Sequence, residues 1–159
     1  MNFPILSSLI LLPLIGSFFI FFNKSSEKNR TIKYVSIFIT FSNFLLALYL
    51  WYIFDKTISD FQFIEDREWI SGLINYKVGI DGISILFVVL TAFITPLCVI
   101  SVISTIKYRL KDFLIAILIM ESLMIGVFCS LDLVVFYLFF EGGLIPMFLI
   151  IGIWGGERR

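Results

Sequence analysis

Two carboxylates stand where a carboxylate is costly: Glu121 within the apolar run 113–131 and Glu141 within the run 133–154. An ionisable side chain in hydrocarbon costs at least ~2.5–3.5 kcal/mol on insertion scales, so its default reading is functional. Withdrawal from water penalises the charged form of an acid and a nearby cation restores it. Such a group can therefore take up or release a proton when its surroundings change, as a proton relay requires. The competing reading is structural, a neutral acid hydrogen-bonded to a neighbouring helix as packing glue. With Asp132 as a hairpin turn, Glu121 and Glu141 fall ~16 and ~14 Å from one membrane surface at 1.5 Å per residue, both near the midplane on adjacent antiparallel helices. No Lys or Arg lies inside either run, so a cationic partner must come from elsewhere.

The residues after Glu141 read Gly142-Gly143-Leu144-Ile145-Pro146. Pro146 cannot donate to the carbonyl of Gly142, and glycines resist bending least, so a kink is expected one turn beyond the acid. Backbone freed in this way can hold water beside a carboxylate, and a purely structural kink uses the same residues. Thr95-Pro96 marks a second expected break. Gly152, Gly155 and Gly156 fit a close helix contact or a helix terminus.

Other chemistries find little support. Cys98 and Cys129 lie in apolar runs without metal-site spacing, and the absence of His removes the commonest metal and haem ligand. No Gly-rich nucleotide loop is present. No cofactor and no redox centre are expected in this chain, and nothing suggests nucleic acid as a partner.

The elements that position the two acids follow from composition. At 60% hydrophobic, 15% charged and a mean hydropathy of +1.04, the chain belongs in a bilayer. Five continuous apolar runs, roughly 3–22, 34–54, 82–106, 113–131 and 133–154, are each long enough to cross it as a helix. The fold expected is an all-α membrane protein of five transmembrane helices in a single membrane domain. The first run lacks the basic flank and cleavage pattern of a secretory signal and reads as a retained helix.

All twelve basic residues fall outside these runs. Nine of them, Lys24, Lys28, Arg30, Lys33, Lys107, Arg109, Lys111, Arg158 and Arg159, lie in segments that share one side if the helices alternate. The other side has the acidic connection 55–81, whose Phe61, Phe63, Trp69 and Tyr76 suit a segment lying along the outer interface with a short strand or amphipathic turn. The positive-inside rule then puts the N-terminus outside and the C-terminus inside.

Three stretches carry a resemblance: Tyr76-Lys77-Val78-Gly79-Ile80-Asp81-Gly82-Ile83-Ser84, Met120-Glu121-Ser122-Leu123-Met124-Ile125-Gly126, and Phe139-Phe140-Glu141-Gly142-Gly143-Leu144-Ile145-Pro146-Met147 running on to Trp154-Gly155-Gly156. They resemble the N-terminal third of chain M of bacterial NADH–quinone oxidoreductase and of its mitochondrial equivalent, subunit 4 of respiratory complex I. Cation/proton antiporter and membrane hydrogenase subunits share the pattern less closely. The resemblance implies an antiporter-like bundle of roughly fourteen helices built on two inverted repeats, of which this chain is an incomplete part. It also implies that Glu141 is the carboxylate partner of a lysine on a later helix, that Glu121 falls where the family often has a fourth-helix acid, and that electron transfer occurs in other subunits. With Glu141, Glu121 is an expected proton-relay carboxylate.

The function expected is therefore a membrane-arm contribution to proton translocation coupled to NADH oxidation and quinone reduction. The partners expected are other membrane-arm subunits, the missing helices and the lipid bilayer of a bacterial cell membrane or mitochondrial inner membrane. The alternative is a structural membrane piece, or a truncated remnant, with no transport of its own.

Overall fold

The computed structural model describes residues 4–22, 30–58, 60–70 and 74–155. Lys24, Lys28, Gly156, Arg158 and Arg159 lie outside them. The order is α1 (Ile5–Phe22), α2 (Arg30–Ile53), β1 (Gln62–Ile70), β2 (Ile74–Ile80), α3 (Ser84–Thr105), α4 (Leu110–Cys129) and α5 (Leu133–Trp154). All five helices are long and apolar enough to cross a membrane. In hydrocarbon each backbone N–H and C=O must find its partner within the chain, and a continuous helix does this alone.

The helices differ from the apolar runs mainly at their ends. α2 begins at Arg30, a turn before the apolar run, because a helix can continue past the hydrocarbon while its first charged turn stays wet. α4 begins near Lys111 and Asp112 for the same reason, and Arg109, in the left-handed region at φ 50°, turns the chain into it. Asp132 starts α5 by accepting from the N–H groups of Val134 (2.8 Å) and Val135 (3.1 Å). Asp81 does the same for α3, accepting from Ser84 N–H at 2.7 Å.

The connection 55–81 contains an antiparallel hairpin, β1 paired with β2, with an irregularity between Gln62 and Glu65. Phe63 adopts φ 54° there, a left-handed conformation unusual for a bulky residue and typical of a bulge that re-aims its neighbours. Glu65 of this strand reaches α1, accepting from Leu6 N–H at 2.9 Å, from Ser7 N–H and from the Ser7 hydroxyl. Since Ser7 spends its one proton on Glu65, the Tyr76 hydroxyl is the donor in its 3.2 Å contact with Ser7 Oγ. The hairpin also continues onto the α4–α5 turn, where Leu131 N–H donates to Lys77 O and Val78 bridges Ser130. The start of α1, the hairpin and the α4–α5 turn therefore occupy one end of the bundle, as alternating helices require.

α4 is the most enclosed helix, with α1, α3 and α5 around it and α2 touching it. α5 is the least enclosed: only Val135 and Pro146 are buried, and it packs chiefly on α4. Gly126 makes that seam possible, since a methyl group there would sit 2.7 Å from the Phe139 ring. Gly16 plays the same part between α1 and α2, where a methyl would meet Ile39 at 2.5 Å.

The buried apolar side chains form two clusters. One, with Leu6, Leu9, Ala47, Leu50, Val88 and Ile125, lies toward the hairpin; the other, with Ile20, Ile32, Val99, Leu114 and Leu118, lies toward the opposite end. The helix segments between them carry the buried polar residues Ser17, Ser36, Thr40, Asn43, Thr95, Glu121 and Ser122. A polar belt thus crosses the interior of the bundle between two apolar layers.

Candidate functional site

The belt contains Glu121. Its side chain is 2% exposed, and its Oε1 accepts from Asn43 Nδ2 at 2.9 Å. Asn43 belongs to a stripe on α2, Ile32, Ser36, Thr40, Asn43, Ala47 and Leu50, whose spacing of three and four residues makes one helix face. The opposite faces of α2 expose Tyr34, Phe38, Phe41, Leu45, Tyr49 and Tyr52. This is an inside-out helix, with small and polar residues toward the protein and large apolar ones toward lipid. Ser36 and Thr40 satisfy their hydroxyls on the carbonyls one turn back, so Asn43 is the residue of the stripe that reaches across to α4. Ser122, beside Glu121, donates to Ile10 O of α1. On the α3 side Glu121 borders a cavity of about 460 Å³, lined otherwise by apolar side chains and by Thr91 and Thr95.

Glu141 is placed differently. The α5 residues that meet α4 or are buried, Val135, Phe139, Gly142 and Pro146, form a single stripe. At 100° per residue Glu141 projects about 130° from its centre. Both acids stand within apolar helices, but among the described helices Glu121 is buried and Glu141 is exposed. Tyr137, one turn earlier, is its polar neighbour on the same open face. The two acids lie on adjacent antiparallel helices, as expected, but the structure does not bring them together on a shared face. Among the described residues, the basic side chains stay at helix ends, in connections and on the hairpin, and none is paired with either acid.

The prolines lie inside continuous helices. α3 and α5 run on without interruption through Pro96 and Pro146. Each proline removes one hydrogen bond, but a helix surrounded by lipid and other helices has no better way to satisfy the rest. A methyl on Gly143 or Gly152 would meet nothing within 4 Å, and one on Gly142 would only reach ordinary contact with Leu123 at 3.4 Å. The close approach is at Gly126. Gly155 ends α5 in extended backbone, its N–H donating to Ile151 O. Trp154 fixes that end by donating to Tyr108 O at 2.8 Å and packing edge-on against Phe113.

No protein-family model matches the chain. Individual relatives do. The chain is 46% identical over 97% of its length to NADH-ubiquinone oxidoreductase chain 4 of Marchantia polymorpha, covering 31% of that protein. It is 56% identical over 82% of its length to NADH-quinone oxidoreductase subunit M of Rhodobacter capsulatus (25% of that protein) and 42% identical over its whole length to subunit M of Rickettsia prowazekii (33%). The chain is similar to one stretch of the subunit M and chain 4 proteins. It spans about a third or less of the length of these relatives. A solved structure of the membrane-bound sulfane sulfur reductase, an archaeal respiratory membrane complex, has the same fold over 90% of the chain with a TM-score of 0.72 at 19% identity, covering 22% of that chain.

The open face of α5 carries Glu141. What the sequence reading passed over is Asn43. Its signal was the spacing Ser36, Thr40, Asn43, Ala47, which repeats a small or polar residue once per turn within an otherwise apolar run.

Proposed function

We propose that this chain contributes to proton translocation in the membrane arm of a respiratory NADH–quinone oxidoreductase, acting together with polypeptide equivalent to the rest of its relatives' length. Glu141 is the relay carboxylate in this reading, and Glu121 holds a second proton position inside the bundle. The observation that carries it is the open face of α5. An acid at that depth facing lipid would cost at least ~2.5–3.5 kcal/mol, so the face is suited to a polar partner on another helix rather than to acyl chains. The identity of 42–56% to subunit M and chain 4 sequences supports the choice of complex.

The same reading puts the protein in a bacterial cell membrane or mitochondrial inner membrane, N-terminus outside and C-terminus in the cytoplasm or matrix, beside other membrane-arm subunits. It assigns no cofactor and no electron transfer to this chain. Pro146, Gly142, Gly143 and Pro96 shape α5 and α3 around the acids without a ligand role.

The test is proton pumping coupled to NADH oxidation, normalised to assembled complex. Gln matches the volume and hydrogen-bonding of Glu but cannot ionise, so Glu141→Gln is expected to assemble and to lose pumping. Pumping at the wild-type level by an assembled Glu141→Gln complex would remove the relay role and leave Glu141 as packing glue.

A further inference from the structure

The Asn43–Glu121 pair has an unequal pattern of hydrogen bonds. One arm is made, Asn43 Nδ2 to Glu121 Oε1 at 2.9 Å. The other two atoms of the same two groups, Asn43 Oδ1 and Glu121 Oε2, are both buried and both lack a hydrogen-bond partner. Each is an acceptor when the acid is ionised, and two buried acceptors cannot satisfy one another. A single proton on Oε2 turns that arm into a donor. The carboxyl and the carboxamide can then close a two-point acid–amide pair in which each group donates once and accepts once.

No charge nearby does the same work. Along their described lengths α1 and α3 carry no charged residue, and Glu141 of α5 projects away from α4. Arg30 and Lys33 of α2 and Lys111 and Asp112 of α4 lie at the other ends of their helices, roughly 14 Å or more along the axis at 1.5 Å per residue. On the hairpin, Lys77 pairs with Asp66, and Glu65 is engaged with α1.

We infer that Asn43 is a positioning residue that holds Glu121 as a neutral, proton-carrying acid through a two-point pair across the α2–α4 contact. Release of that proton leaves Oε2 and Asn43 Oδ1 without a donor, so discharge of Glu121 requires another donor, such as a water molecule, to reach Oε2. The assignment deepens the relay reading and rests on it only for its use in transport; the pair itself is tested without transport.

The experiment is infrared spectroscopy of the assembled protein in lipid at neutral pH, with carbon-13-labelled glutamate and a Glu141→Gln background to isolate Glu121. A deuterium-sensitive carboxylic acid C=O band is expected, absent from Glu121→Gln. In Asn43→Leu, which removes both arms, and in Asn43→Ser, whose short side chain cannot bridge both oxygens and is easier to accommodate, the band is expected to move to higher frequency. No acid band at neutral pH would overturn the inference, as would a band that neither Asn43 variant shifts. The relay reading stands or falls separately, on pumping by Glu141→Gln.

Discussion

Gly126→Ala tests whether the α4–α5 seam sets the position of Glu141, and it changes no ionisable group. The new methyl would lie 2.7 Å from Cδ1 and Cγ of Phe139, where carbons in ordinary contact sit 3.4–4 Å apart. The seam must therefore open by about 1 Å, since repulsion rises steeply below contact distance. Overpacking of this kind costs ~1–3 kcal/mol. Phe139 is two residues before Glu141 on a helix that packs chiefly on α4, so the shift is passed to the acid with little to oppose it. A 1 Å misplacement of a reacting group can lower a rate by up to ~10²-fold. The expected result is a complex that assembles, melts earlier and pumps poorly, with Phe139→Leu in the same chain recovering much of the loss by vacating the space. The assay is proton pumping per NADH oxidised, with thermal stability in detergent measured alongside. Wild-type pumping and melting by Gly126→Ala would refute the reasoning, as would a double variant no better than the single one.

Glu65→Ala removes the acceptor for the first amides of α1 and should cost ~1–2 kcal/mol, the usual value of a lost cap, seen as earlier unfolding in detergent. The Asp81 carboxyl is held below its ordinary range, first by the Ser84 backbone N–H. Its stabilising effect is therefore complete above the unfolded value of ~3.9 and lost as the pH falls through the lowered folded value. Any stability advantage of wild type over Asp81→Asn at neutral pH should shrink on acidification, as thermal melts across pH 2–7 would show. For orientation, in a Cys98→Ser background, Lys107→Cys should be labelled by an impermeant reagent only from the cytoplasm or matrix and Lys56→Cys only from the opposite side. The reverse pattern would invert the assigned topology.

The five helices were legible because each is a continuous apolar run, a signal that needs no knowledge of neighbours. Counting residues along those runs locates Glu121 and Glu141 on their helices, but it does not give the direction in which each faces. α5 is apolar on every side, so nothing in its sequence marks which stripe meets α4 or that Glu141 lies on the face left open. The hairpin was only partly legible: Phe63-Ile64-Glu65-Asp66 departs from strict alternation because a bulge interrupts the strand there. Local chemistry also does not show which glycine lies in a helix seam: the tight contact uses Gly126 rather than Gly142 or Gly143. Glu121 could be singled out alone, but its partner needed α2 and α4 side by side, since Asn43 is 78 residues away.

The contact between Glu65 and the first turn of α1 has a consequence for biogenesis. The amides of Leu6 and Ser7 leave the ribosome long before Glu65 does, and they can be capped by it only if both segments end up across the same face of the bilayer. An α1 inserted backwards would strand the two partners a membrane thickness apart, leaving a carboxylate and several open amides unmatched. The contact is therefore open only to a chain whose first helix is threaded in the same sense as the loop that follows the second.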